Sequence, residues 1–296
     1  MILNRRQFIQ SLGGIVTATS LFPPLSFSSG KPPLTLGVFP RRNVKITFRM
    51  FLPMAKYLEQ VLGREVRLKT ERTFADFWQA VQKGEYDIVH YNQYHYIISR
   101  LKYGYEVFAK NKELGNSTIA GSLIVRKDSG YNEVRDLKGK EVLFGGDKSA
   151  MQSYIAATWL LRQSGLKAGD YIEKFAINPP NTIISTYFKR ADASGSGDVV
   201  MHLDNVKNRI DISQLKFLAK TVPMAHLPWA VRSDLPEDLK KNIIQTLLDL
   251  STSAQGKSVL AAARLDALEP ATDAEYELHK KIIVDVYGES MGEAIL

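Results

Sequence analysis

A glycine-rich turn that opens a helix carries the clearest chemistry in the chain. A strand pattern over 141–144 runs into Gly-Gly-Asp-Lys-Ser at 145–149, and a helical pattern continues to about Ser164. The first turn of a helix leaves backbone N–H groups without partners, and the helix dipole adds positive potential there. The turn therefore predicts an anion site in which Lys148 and Ser149 assist the backbone amides. An ordinary helix capped by Ser149 is the alternative.

A second group of candidate residues lies in His-Tyr-Asn-Gln-Tyr-His-Tyr at 90–96. It follows a buried strand pattern, and open α/β sheets bind ligands at the carboxyl ends of their strands. Rings there would shape a pocket and amides would direct the ligand, so Tyr91, Asn92 and His95 are predicted contacts. A purely structural aromatic cluster is the alternative. A metal site is disfavoured, because His90 and His95 are five residues apart and do not share one helical face.

Two adjacent arginines, Arg41 and Arg42, follow the first predicted strand. The planar guanidinium group binds carboxylate or phosphoryl oxygens through paired hydrogen bonds. We predict Arg41 as a ligand contact, with a solvated loop arginine as the alternative.

The motifs of common enzyme classes are missing. The chain has no cysteine, no Gly-x-Ser-x-Gly and no His-Glu-x-x-His, and residues 146–149 lack the glycines of a nucleotide-binding phosphate loop. We expect a binding protein without catalytic residues, cofactor or metal. A small-molecule enzyme on the same scaffold is the weaker alternative.

Strand and helix patterns alternate along the first part of the chain. Strand patterns at 34–39, 65–70 and 86–90 are separated by helical patterns at 51–62 and 74–82. This order predicts a parallel sheet with right-handed crossovers.

The later segments predict a second lobe, and therefore an α/β protein with a central ligand cleft between two lobes. Lobe 1 is placed at 29–120, lobe 2 at 121–222, and the return to lobe 1 with C-terminal helices at 223–296. Further strands are predicted at 122–126, 141–144, 198–201, 216–219 and 228–232, and a helical third from Pro236.

Residues 1–28 predict an export signal. Arg5 and Arg6 precede an apolar stretch over 12–22 that is too short for an ordinary transmembrane helix. The pair, followed by Gln-Phe-Ile, is similar to the twin-arginine signal of bacteria. Small residues favour cleavage before Ser29, but without Ala-x-Ala an uncleaved membrane tether is an alternative. An amphipathic helix of a cytosolic domain fits less well, because the stretch contains two glycines.

Composition agrees with an exported globular protein that binds a small anion. The chain is 45% hydrophobic and 24% charged, with a formal net charge of +8 that falls to +6 without the two signal arginines. Basic and acidic residues are interspersed, so we expect no nucleic-acid binding, whereas a basic cleft would attract small anions. The absence of cysteine excludes a disulfide framework and a lipid-anchored N-terminus.

Six short segments show a family resemblance. They are Leu-Gly-Val-Phe-Pro at 36–40, Asp-Ile-Val at 87–89, Leu-Ile-Val-Arg-Lys-Asp-Ser-Gly at 123–130, Asp-Leu-Lys-Gly-Lys at 136–140, Phe-Gly-Gly at 144–146 and Val-Arg-Ser-Asp-Leu-Pro at 231–236. In this order the chain resembles, over about 34–287, the phosphate/phosphite/phosphonate substrate-binding proteins of ABC transporters. The resemblance implies a type II periplasmic binding protein fold, whose lobes close on the ligand like a hinged trap.

The resemblance also implies site residues, and this chain departs from some of them. Phosphonate-binding members carry Ser-Thr-Ser-Gly where this chain has Ala-Met-Gln-Ser at 150–153. Met151 and Gln152 thus replace hydroxyl donors, which predicts weaker phosphonate binding than in members that keep the run. Asp198 aligns with an aspartate that accepts from a protonated ligand or an amine. Asn181 stands where a ligand-contacting histidine is common.

We therefore expect a periplasmic solute-binding protein of an ABC importer for a small phosphorus oxyanion, phosphonate or similar anion. A separate ABC permease and ATPase would be its partners. The alternative is a periplasmic receptor that presents its ligand to a membrane sensor kinase.

Overall fold

The computed structural model describes residues 31–288 of the 296-residue chain. The predicted signal at 1–28 lies outside the described residues. The strands are β1 (Leu34–Val38), β2 (Val66–Lys69), β3 (Ile88–His90), β4 (Tyr105–Lys112), β5 (Thr118–Ile119), β6 (Gly121–Arg126), β7 (Glu141–Gly145), β8 (Ile172–Ala176), β9 (Ala193–Gly197), β10 (Leu215–Lys220), β11 (Met224–Ala225), β12 (Pro228–Arg232) and β13 (Ala267–Pro270). The α-helices are α1 (Val44–Leu62), α2 (Phe74–Gln82), α3 (Gln93–Lys102), α4 (Ala156–Gln163), α5 (Pro179–Tyr187), α6 (Asp204–Lys207), α7 (Glu237–Leu248), α8 (Ala254–Ala263) and α9 (Glu277–Tyr287).

A six-stranded sheet in the order β13-β4-β12-β3-β1-β2 forms what we call the first lobe. β1 pairs parallel with β2 and β3, as predicted from the alternating patterns. β12 pairs antiparallel with β3 and β4, which confirms the predicted strand over 228–232. The prediction that the C-terminal third is wholly helical is wrong. This part of the chain also contains β13, which pairs antiparallel with β4. A four-residue strand shows too little alternation to stand out in the sequence.

A five-stranded sheet in the order β10-β6-β9-β7-β8 forms the second lobe. β7 lies parallel between β8 and β9, whereas β6 is antiparallel to β9 and β10. The strand predicted at 198–201 is wrong, because Asp198–His202 is a 3-10 helix and the strand is the preceding Ala-Ser-Gly-Ser-Gly. Small residues are required there: a Cβ on Gly195 would lie 2.3 Å from the carbonyl oxygen of Ser153.

The chain passes between the lobes twice, beside a small sheet. β5 leads into β6 of the second lobe, and β11 precedes β12 of the first lobe. β5 and β11 pair antiparallel, so the two passages are hydrogen-bonded to each other. Such paired connections allow two lobes to move about one axis.

Helices α1, α7 and α8 bury the outer face of the first sheet. Phe51 and Leu58 of α1, Ile243 of α7 and Leu260 of α8 are all buried, in one cluster with Trp229 of β12. Burial of each such side chain contributes about 1.5–3 kcal/mol.

Helix α1 begins at Val44, two turns before the predicted start at 51. Asn43 caps it, since its Oδ1 accepts the N–H of Ile46 at 3.0 Å. Among residues 31–288, no helix has the length and apolar character needed to cross a membrane.

Candidate ligand-binding cleft

A cavity of about 470 Å³, including its open mouth, lies between the carboxyl ends of strands from both sheets. The first lobe supplies residues that follow β1 and β3, and the second lobe supplies residues that follow β7 and β9. The lining residues are Phe39, Arg41, Phe74, Asn92, Gln93, Ile119, Gly145, Ala150, Met151, Gln152, Ser153, Pro179, Gly197, Val200 and Leu227. Four of the predicted site residues are therefore brought together here: Arg41, Asn92, Met151 and Gln152.

The second lobe faces the cavity with the start of a long helix. Met151–Ile155 is a π-helix that continues into α4, so the predicted helix exists but opens with a wider turn. Within residues 31–288, the backbone N–H groups of Met151, Gln152 and Ser153 donate no hydrogen bond. These three residues line the cavity. Unpaired amides at the positive end of a helix form an anion site.

The turn before this helix holds its shape through its own side chains. The Oδ1 of Asp147 accepts from the N–H of Ser149 at 2.8 Å and from its hydroxyl at 2.5 Å. Lys148 is more than half exposed and lies 3.4 Å from a Glu173 carboxylate oxygen. Neither Lys148 nor Ser149 lines the cavity, so their predicted role as ligand contacts stays a prediction and the visible role is to shape the turn.

Asn92 connects the two lobes. Its Oδ1 accepts the N–H of His95 at 2.9 Å and so caps α3. Its Nδ2 donates across the cleft to the carbonyl oxygen of Ser149 at 3.2 Å. The same side chain therefore fixes the first-lobe helix and joins it to the second-lobe turn.

Two glutamines place unused acceptors at the cavity. Gln93 donates through Nε2 to the carbonyl oxygen of Ala225 at 3.1 Å, and Gln152 Nε2 lies 3.3 Å from His279 Nε2. The Oε1 atoms of both glutamines are buried and have no partner in the described part of the chain. Buried acceptors without partners are costly, so a ligand donor at these positions would be favoured.

Arg41 is the only charged side chain among the cavity-lining residues of the described chain. Its Nη1 lies 2.9 Å from Oε2 of Glu113, which is 2% exposed. Burial alone would raise the pKa of Glu113, but Arg41, His226 and Arg42 together lower it below its usual value. Glu113 is therefore ionised at neutral pH, and it balances the charge of Arg41.

The predicted aromatic contacts point into the first lobe instead of the cleft. Tyr91 is fully buried and its hydroxyl lies 2.7 Å from the Ser99 hydroxyl. His95 is buried and stacks on Trp78, with 4.9 Å between ring centres. Burial lowers the pKa of His95 to about 4, so it is neutral at neutral pH. Neither residue lines the cavity, and the ligand role predicted for both stays untested.

Asp198 and Asn181 lie beside the cavity and are absent from its lining. Asp198 Oδ1 accepts the N–H of Ala120 at 3.0 Å, and its Oδ2 lies 3.5 Å from Lys220 Nζ. Asn181 is in the first turn of α5, where its N–H donates to Asn178 Oδ1 at 3.2 Å. In this conformation both serve the framework of the second lobe.

Several cavity residues were missed by reasoning from the sequence. Phe39 and Phe74 make an edge-to-face pair, 5.9 Å between ring centres, on the first-lobe wall. The signal for Phe39 was its position directly after the first strand, and that for Gln93 was its place beside Asn92. The partner of Arg41, Glu113, was also missed. No sequence pattern around Glu113 indicates a role at the site, because that role depends on Arg41, 72 residues away.

Two α/β lobes, paired crossings and a cleft at the carboxyl ends of strands define a type II periplasmic binding protein. Similar solved structures include a binding protein component of an ABC phosphonate transporter from Pseudomonas aeruginosa, with TM-score 0.75, 16% identity and 86% of each chain covered. PhnD1 from Prochlorococcus marinus in complex with methylphosphonate gives TM-score 0.75 at 19% identity, over 86% of this chain and 98% of that one. XAC2383 from Xanthomonas citri bound to ATP gives TM-score 0.73 at 12% identity, over 86% of this chain and 97% of that one.

A family model extends this likeness from the fold to the sequence. The model of the ABC transporter, phosphonate, periplasmic substrate-binding protein family matches residues 36–276. The chain belongs to this family, as its six segments suggested. The family consists of transport proteins and does not favour the sensor-kinase alternative.

Proposed function

We propose that this chain delivers a small phosphorus oxyanion or phosphonate to an ABC permease and its ATPase, and that the cavity between the lobes is the binding site. The observation that carries the proposal is the group of three unpaired backbone N–H groups at Met151, Gln152 and Ser153, opposite Arg41. Together they offer an oxyanion several donors and positive potential in a largely apolar cavity, where such interactions are strongest.

Ligand binding would also close the lobes. An oxyanion held by the second-lobe amides and by Arg41 of the first lobe contacts both sides of the cleft. Contacts that exist only when the lobes meet shift the population toward the closed form. The hydrogen bond from Asn92 to the Ser149 carbonyl oxygen, 3.2 Å across the cleft, supports this proposal.

Removal of one amide donor tests the site. Met151 is the first residue of the helix, where proline is tolerated, and Ala150 before it is extended. Met151→Pro and Met151→Ala both remove the thioether, but only the proline variant lacks the N–H group. We expect Met151→Pro to bind methylphosphonate about 10- to 100-fold more weakly than Met151→Ala in isothermal titration calorimetry, since hydrogen bonds to charged groups contribute about 1.5–3 kcal/mol. Equal affinities would remove the helix start from the site.

The proposed location is the periplasm, and binding without turnover is the proposed activity. Replacing Arg5 and Arg6 by lysine tests export by the twin-arginine route: precursor should accumulate in the cytoplasm. Normal periplasmic accumulation would show that another route is used.

A further inference from the structure

We propose that the cleft selects the singly charged, protonated form of its oxyanion ligand, and that Glu113 sets this preference. The inference rests on the proposed function, and it adds the charge state of the ligand and the residue that decides it.

The charge balance of the cavity wall is the first argument. Arg41 is the only charged lining residue in the described chain, and its guanidinium is already paired with Glu113 at 2.9 Å. Arg42 also lies close enough to Glu113 to lower the pKa of that carboxyl, so Arg41, Arg42 and Glu113 together carry one net positive charge. With the partial charge of the helix start, about half an elementary charge, this group balances a singly charged oxyanion, whereas a doubly charged one would bury charge that is not fully compensated.

Two unused acceptors provide the second argument. Gln93 Oε1 and Gln152 Oε1 are buried at the cavity without partners. Each glutamine has its Nε2 beside a carbonyl oxygen or ring nitrogen, so only its Oε1 is left for a ligand donor. The oxygens of a fully ionised oxyanion only accept hydrogen bonds, so a glutamine oxygen beside them repels the ligand. A protonated oxyanion has a hydroxyl group that can donate to the glutamine oxygen.

The rest of the lining indicates the substituent on that oxyanion. Phe39, Phe74, Ile119, Val200 and Leu227 leave an apolar space beside the amides. Among residues 31–288 no carboxylate lines it, and the nearby Asp198 is engaged by Ala120 and Lys220. A short alkyl group is therefore favoured over a substituent that carries an ammonium group.

The protein itself holds its charges constant near the site from weakly acidic to weakly basic pH. The charged and titratable groups around Glu113 are Arg41 and Arg42 after β1, His226 before β12 and His90 at the end of β3. Burial lowers the pKa of His226 to about 4 and that of His90 to about 3, so both stay neutral. A change of affinity across this range would thus report the ligand.

The wild-type protein provides the first test, by calorimetric titration between about pH 5.5 and about pH 8.5. Methylphosphonate loses its second proton within this range, as phosphoryl groups do near neutral pH. We expect its apparent affinity to fall by about tenfold per pH unit above that pKa, as the monoanion disappears. Methanesulfonate, which is singly charged throughout and has no proton to donate, should show a flat profile and weaker binding than monoanionic methylphosphonate.

Glu113→Gln provides the second test, because glutamine keeps a hydrogen-bonding oxygen for Arg41 and removes the balancing charge. In this variant the ratio of affinities at about pH 5.5 and about pH 8.5 should shrink by at least about tenfold, since the freed arginine attracts the dianion. Glu65→Gln is the matched control: it neutralises an exposed partner of Arg67 and should leave the ratio unchanged.

The outcomes separate this inference from the proposed function. Methylphosphonate binding that is flat or strengthens with pH overturns the inference and leaves the function standing, as does an unchanged ratio in Glu113→Gln. If that variant does not fold, the wild-type profiles decide. Binding of the sulfonate in preference to the phosphonate refutes the phosphonate function and the need for a ligand proton. Binding of neither ligand, nor of phosphite or phosphate, refutes both proposals.

Discussion

Replacement of Arg41 by methionine should destabilise the protein much more than a typical arginine substitution. It leaves Glu113, which is 2% exposed, without its partner at 2.9 Å. Loss of one partner of a buried ion pair costs about 3–5 kcal/mol, because the remaining charge is buried without compensation. Arg42 lowers the pKa of Glu113 as well, and His226 Nε2 lies 3.6 Å from Glu113 Oε2. We therefore expect the lower end, about 3 kcal/mol.

The loss of unfolding free energy in Arg41→Met should become smaller as pH falls. In the native protein the pKa of Glu113 is lowered, so the ion pair contributes stability above the unfolded pKa of about 4.3 and loses it as pH falls through the folded value. In Arg41→Met burial dominates and raises the pKa of Glu113. The cost of the buried, unpaired Glu113 carboxylate is then present at neutral pH. It disappears as pH falls through the raised pKa, because the carboxyl becomes protonated. The difference between the two proteins should shrink between about pH 7 and about pH 4.5.

Urea unfolding at both pH values measures these free energies. The double variant Arg41→Met with Glu113→Gln removes the buried charge, so it should recover most of the loss at neutral pH. Arg67→Met is the matched control: its pair with Glu65 is exposed at both ends, so loss of this pair should change the stability far less. Additive losses in the double variant, within about 0.5 kcal/mol, would refute the coupling between Arg41 and Glu113.

Three further predictions concern the lobes and the buried polar groups. Asn92→Ala removes the α3 cap and the bond to Ser149 and should cost about 1–2 kcal/mol in urea unfolding, whereas Asn92→Asp keeps the cap and should lose mainly ligand affinity by calorimetry. Gly195→Ala places a Cβ 2.3 Å from the Ser153 carbonyl oxygen and should lower the melting temperature, through a loss of about 1–3 kcal/mol; an unchanged melting temperature would contradict the close packing of β9. Burial lowers the pKa of each of the four buried histidines to about 3 or about 4. Since the unfolded chain binds these protons first, stability should fall by about 1–2 kcal/mol per histidine from about pH 6.5 to about pH 5, and a flat urea midpoint would contradict it.

The first lobe was predictable because its elements carry local signals. Helix α2 is found over the predicted residues 74–82, and β1, β2 and β3 lie within or beside the predicted strands. Their apolar periodicity and glycine stops come from neighbouring residues, so a window along the chain captures them. β9 lacks such a signal. Its small residues are required by the helix packed above it, while the apolar run at 199–201 imitates a strand.

The cavity was predictable at the level of backbone and much less at the level of side chains. A glycine turn before a helix predicts unpaired amides wherever it occurs, and the structure has them at Met151, Gln152 and Ser153. Side-chain direction depends on the whole lobe. In the segment 90–96, the end of β3 and the start of α3 direct Tyr91 and His95 into the first lobe. The side-chain amides of Asn92 and Gln93 lie at the cavity.

The resemblance implies that Met151 and Gln152 stand where other members carry hydroxyl groups, and such a replacement is consistent with the charge balance of the opposite wall. Hydroxyl groups both donate and accept, and so adapt to either protonation state of an oxyanion. Here the donors are backbone amides, the unpaired acceptors are the buried Oε1 atoms of Gln93 and Gln152, and Arg41 is paired with Glu113. Loss of the hydroxyls and neutralisation of Arg41 both weaken the hold on a dianion. We therefore expect the proposed site to recognise one ligand proton and one apolar group more than ligand charge.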